Sequence, residues 1–151
     1  MHNWFECKVK LEKTVDDGKI VKVGESYLVD ALSFTEAEER MVEEMKPFIS
    51  GEFQIANIKR VKISELFFND NGDKWYRCKV NFVTFDEEKG IEKRSPVLMM
   101  VQAGDFRAAL DGLTEGMKGT MADWEVAVIS ETTIMDVFRY DAEFKKSSPE
   151  S

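Results

Sequence analysis

Histidine is nearly absent: the chain has one, His2, in 151 residues. Triads that use an imidazole base and most zinc sites are thereby excluded. Cysteine is almost as scarce, and Cys7 and Cys78 form no Cys-x-x-Cys pair. They read as reduced core residues of a cytoplasmic protein, with no metal and no cofactor expected. Neither Gly-x-Gly-x-x-Gly nor a Gly-Lys-Ser/Thr phosphate loop is present. No apolar run is long enough for a transmembrane span, and Glu6 interrupts the first apolar residues, so neither membrane insertion nor a signal peptide is expected. An excess of positive charge is also missing. The net charge of -8 argues against a general nucleic-acid coat and leaves room only for a local basic patch.

Pro/Gly/Ser-rich linkers are missing as well, so residues 1–140 are expected to form a single domain, with 141–151 as a flexible polar tail. Such a length can bury about two thirds of the surface that the unfolded chain exposes. The turn Asn69-Asp70-Asn71-Gly72-Asp73 has the oxygen-rich look of a calcium loop but lacks the distal glutamate and the flanking helices. No nucleophile with a base and no convincing pair of contrasting carboxylates stands out, so the protein is read as a non-enzyme.

What is present is a repetition. Trp4-Phe5-Glu6-Cys7-Lys8-Val9 returns 71 residues later as Trp75-Tyr76-Arg77-Cys78-Lys79-Val80. After the first turn the offset becomes 72, pairing Val29, Ala31, Phe34 and Ala37 with Val101, Ala103, Phe106 and Ala109. It returns to 71 where Phe53, Ile55 and Ile58 meet Trp124, Val126 and Ile129. Changes of offset that fall in loops, where insertions cost little, mark a duplicated unit.

Within the first copy, Phe5, Cys7, Val9 and Leu11 alternate with Trp4, Glu6, Lys8 and Lys10, the period of a half-buried strand. Asp16-Asp17-Gly18 turns the chain into a second alternation, so residues 4–32 form a hairpin. Ser33 with Glu36 is a capping box, and Phe34, Ala37, Met41 and Met45 give the following helix its inward side. Its other side is acidic and reads as solvated. A third strand covers 53–63, and 64–68 either continues it or crosses to a neighbouring element. In the second copy Asp105 caps a helix with Phe106, Ala109, Leu110, Leu113 and Met117 inward, and the run Pro96–Val101 reads as a strand covered on both faces.

The expected fold is α+β: a tandem repeat of two β-β-α-β units, 4–68 and 75–138. It has about six main antiparallel strands, two helices and pseudo-two-fold symmetry. The phrases Trp4–Lys8, Tyr27–Glu38 and Met117–Asp123 resemble an uncharacterised family of Bacteroides-type gut bacteria and their phages, over about residues 3–140. That resemblance implies a bacterial cytoplasmic or mobile-element setting and carries no catalytic residues with it.

The candidate binding surface is the sheet face turned away from the helices. Strand parity places Trp4, Lys8 and Lys10 there, with Trp75, Arg77 and Lys79 in the second copy. The third strands add Ile58, Arg60, Lys62 and Ile129 by the same parity. An apolar patch centred on the two tryptophans suits a protein interface, either self-association into a homo-oligomer or another protein. Tryptophan beside lysine and arginine suits single-stranded nucleic acid instead.

Overall fold

The computed structural model describes residues 3–49 and 51–139; the expected tail at 141–151 lies outside them. Among the described residues the chain runs β1 (Asn3–Thr14), β2 (Ile20–Ala31), α1 (Phe34–Met45), β3 (Phe53–Val61) and β4 (Glu65–Phe67). It continues through β5 (Lys74–Asp86), β6 (Ile91–Ala103), α2 (Phe106–Gly116), β7 (Asp123–Glu131) and β8 (Ile134–Phe138). The class is α+β, with two helices and eight strands in two sheets.

One sheet has the order β3-β1-β2-β8, the other β4-β6-β5-β7. The six long strands pair antiparallel, and two short strands add a parallel edge to each sheet, making both mixed: β8 runs parallel to β2, and β4 parallel to β6. The two short strands also cross over. Val61 is the last residue of the first stretch of unit 1, Lys62–Thr133 is unit 2, and unit 1 resumes at Ile134. The compact units therefore differ from the stretches 4–68 and 75–138 expected from the repeat, because β4 pairs with the second long hairpin and β8 with the first. For β4 the crossing is fixed by the Ser64 N–H, which donates to the Leu98 carbonyl at 2.7 Å, and by Phe67 packing among Leu113, Met117 and Met99. For β8 it is fixed by Phe138, whose ring stacks on Tyr27 at 5.9 Å.

Unit 1 folds where the sequence alternation says it should. Phe5, Cys7 and Val9 have no exposed surface, and Ala37, Met41 and Met45 of α1 close over them. The helix begins at Ser33, whose Oγ accepts from the Glu36 N–H at 3.1 Å, while Glu36 Oε1 accepts from the Leu32 N–H. In unit 2 the same roles fall to Cys78, Val80, Leu113 and Met117, with Asp105 Oδ1 accepting from the Ala108 N–H at 2.8 Å. Phe34 and Phe106 are corrections: they are 48% and 55% exposed, so they lie at the helix margins and not beneath them. A first-turn residue precedes the buried stripe, which is Ala37, Met41 and Met45 in α1.

The turn at 69–73 is tied down by Gln102. Gln102 accepts from the Asn69 N–H at 2.9 Å and donates to the Gly72 carbonyl at 3.1 Å. Gly72 has no room for a side chain, since a Cβ there would sit 2.4 Å from Ala103 Cα. Among the described residues no helix is long and apolar enough to cross a membrane.

Candidate functional site

Strand parity placed ten residues on the outer faces, and one irregularity redistributes several of them. In unit 1, Lys8 pairs with Asn57 but Val9 pairs with Ile55, so Ala56 is an extra residue in β3. In unit 2, Lys79 pairs with Val128 and Val80 with Val126, so Ala127 is extra in β7. Each is a β-bulge, and beyond it the alternation of the edge strand is reversed. Ile58 consequently stands opposite Cys7, and Ile129 opposite Cys78, where both pack on the helix-side cores. Arg60 stands opposite Phe5 on the same side, its guanidinium 5.5 Å from the Phe5 ring centre and 5.4 Å from that of Phe34. These three are not on the outer face.

The tryptophans are corrected too. Trp75 is 2% exposed, with the Phe68 ring edge-on to it at 5.2 Å and the Thr132 hydroxyl bonded to its carbonyl at 2.8 Å. It is a buried residue and no stacking platform. Trp4 is half-buried opposite Asp30 and Val61. Lys8 is exposed, while Lys10 lines a separate hollow at the far end of the first hairpin. That hollow is also lined by Lys22, Glu12 and Glu52.

Lys62, Arg77 and Lys79 are brought together. They line a cleft of about 650 Å³ within unit 2, with Ile63, Ser64, Pro96, Val97, Leu98, Val128 and Ser130. The floor follows from the register: Lys79 is flanked by Leu98 on β6 and Val128 on β7, and Arg77 has Ser130 beside it. The strap from Lys62 to Ser64 forms one wall, tied down by the Ser64–Leu98 backbone bond. The cleft thus combines an apolar floor, two hydroxyls and three cations, and no carboxylate lines it. Its volume falls in the range of small-ligand and peptide sites.

Nearby acids are engaged elsewhere. Glu125 of β7 accepts from Arg94 at 2.8 Å and from Asn81 at 3.3 Å, which holds its carboxyl below the usual range. Glu131 pairs with Lys74 at 3.8 Å. Among the described residues Lys62, Arg77 and Lys79 have no ion-pair partner, in a chain with 29 acidic residues and 21 basic ones. The thiols are far from reactive. Burial, with a smaller push from Glu6, raises Cys7 to about 12, and burial raises Cys78 to about 11.

The sequence reading found the cations of this cleft and missed Ser64, Leu98, Val128 and Ser130. The apolar run Pro96–Val101 was the available signal, since a strand covered on both faces must present Leu98 to the outer one. Val128 was hidden by the bulge. Comparison with the curated proteins gives no match. The profile of one family, described as a domain of unknown function, matches residues 3–140. The match spans both sheets, and the chain accordingly belongs to the DUF4494 family.

Proposed function

We propose that this is a non-enzymatic binding protein whose outer sheet face in unit 2 is the contact surface for another protein. The observation that carries the reading is the group Lys62, Arg77 and Lys79, exposed around an apolar floor and without ion pairs among the described residues. Leaving three cations unneutralised on an acidic protein makes sense where a negatively charged group arrives from outside. Leu98 and Val128 give that partner apolar surface to bury. Single-stranded nucleic acid is the weaker reading, because base stacking needs exposed aromatic rings and the aromatic expected there, Trp75, is buried. Self-association by a second copy would use the same face.

The duplicated origin of the two units belongs to this proposal as well. The two sheets share one strand order, read from opposite ends, and carry a bulge at the same step. A bacterial or phage cytoplasmic setting rests on the resemblance of sequence phrases alone. The test is a titration with poly-L-glutamate and with oligothymidylate, read by fluorescence anisotropy, beside sedimentation of the protein alone. Salt-sensitive binding of polyglutamate that is lost in the triple variant Lys62→Gln, Arg77→Gln, Lys79→Gln is the expected result. A preference for oligothymidylate, or polyglutamate binding that survives the triple variant, would overturn the reading.

A further inference from the structure

We infer that the cleft takes an extended acidic segment of a partner protein, with carboxylates at alternate positions followed by an apolar side chain. This rests on the reading of the cleft as a protein-binding site. Arg77 and Lys79 are two residues apart on β5 and point to the same side, so their Cα atoms are separated by about 7 Å. An extended chain lying along β5 presents its own alternate side chains at that same interval. Two carboxylates separated by one residue therefore meet both cations in register. Two adjacent carboxylates cannot, since one of them points away from the sheet.

The apolar position follows from the flanks of Lys79. Leu98 lies on one side of it and Val128 on the other, and Pro96 comes next along β6, so the side chain beyond the second carboxylate rests on this floor. Lys62, on the strap, closes on the segment from the wall. The fold itself does not demand these charges. At the place of unit 1 that corresponds to Arg77, where β1 runs beside β3, Glu6 of β1 lies 4.0 Å from Lys59 of β3 and that pair is matched internally. In unit 2 Arg77 lies beside Ser130, which cannot neutralise it. Lys62, Arg77 and Lys79 converge on one cleft that no carboxylate lines, and an incoming carboxylate restores the balance there.

The probes are two short fluorescein-labelled peptides of identical composition. One carries Glu-Ser-Glu-Ser-Leu and the other Glu-Glu-Ser-Ser-Leu, with oligothymidylate as the competing polyanion. The alternating peptide is expected to bind about tenfold more tightly than the adjacent one, the loss of one charge-assisted contact. Arg77→Gln should remove that difference, and the triple glutamine variant should abolish binding with an unchanged circular dichroism spectrum. Val128→Asp keeps all three cations and is expected to weaken the alternating peptide by setting a carboxylate in the floor. Equal binding of the two peptides, lost in the triple variant, would overturn the register and leave the protein-binding reading standing. Tighter binding of oligothymidylate, no binding of either peptide, or binding indifferent to the triple variant would overturn both.

Discussion

Replacing Phe34 by alanine separates the contribution of a ring at a helix margin from that of a ring beneath a helix. Phe34 is 48% exposed, so roughly half of the usual 1.5–3 kcal/mol for burying such a side chain is at stake, about 1 kcal/mol. Its ring meets Phe5 edge-on at 4.9 Å, and a contact of that geometry adds about 0.5–1.5 kcal/mol. Arg60 lies 5.4 Å from its centre, which adds about 0.5–1 kcal/mol at a partly exposed site. The expected loss is therefore about 2–3.5 kcal/mol, at or below the lower end of the roughly 3–5 kcal/mol of a fully buried anchor. Phe106 is 55% exposed and has no aromatic partner among the described residues, so Phe106→Ala should lose only about 1 kcal/mol. Urea unfolding followed by far-ultraviolet circular dichroism measures both, with Arg60→Ala closing a double-mutant cycle. Equal losses for the two phenylalanines, or no coupling between Phe34 and Arg60, would refute the role given to the Phe5–Phe34–Arg60 group.

Gly72→Ala should cost about 1–3 kcal/mol or more, because the new Cβ meets the backbone of Ala103 and no flexible side chain; unchanged thermal unfolding would show that the turn has slack. Ile58→Ala is expected to lose about 1–2 kcal/mol in urea, as a half-buried core contact opposite Cys7, whereas an outer-face isoleucine would lose almost nothing. Both thiols should resist alkylation in the native protein, since neither has exposed surface; rapid labelling would contradict their burial. The same thiols make stability fall in alkali. Their folded values, about 12 and about 11, lie above the ordinary 9.0, so the contribution is complete below pH 9 and is lost as pH rises through 11 to 12. The double variant Cys7→Ala, Cys78→Ala should show a flatter decline between pH 9 and 11, and an identical decline would refute the assignment.

Local signals were legible in the sequence and long-range pairings were not. The alternation of Phe5, Cys7 and Val9, the caps at Ser33 and Asp105, and the stripe of Ala37, Met41 and Met45 each lie within one element, and each recurs in the structure. The three residues of β4 are too few to show a period, and the partner that makes them a strand is far along the chain. Bulges are silent for a related reason. Nothing in Ala56 or Ala127 marks an extra residue, and only the register against β1 or β5 reveals that Ile58 and Arg60 have changed sides. Trp75 was misplaced because the ring that covers it, Phe68, comes from the stretch leading into the turn. Arg77 and Lys79 were placed correctly because β5 itself is regular through them.

The crossing of the short strands gives the two units different histories during synthesis. Lys62–Thr133 is uninterrupted, and every strand of its sheet is available once β7 has been made. The sheet of the first unit cannot close until β8 emerges, although β1, β2, α1 and β3 leave the ribosome long before. Through that interval the edge of β2 from Ser26 to Val29 has unpaired backbone groups beside Tyr27 and Leu28. The later-born unit can thus mature first, while the earlier one waits with a sticky border that a nascent neighbour on the same message could occupy. A slow stretch of translation between residues 62 and 133 would lengthen that exposure and favour chain-to-chain strand exchange over the native closure.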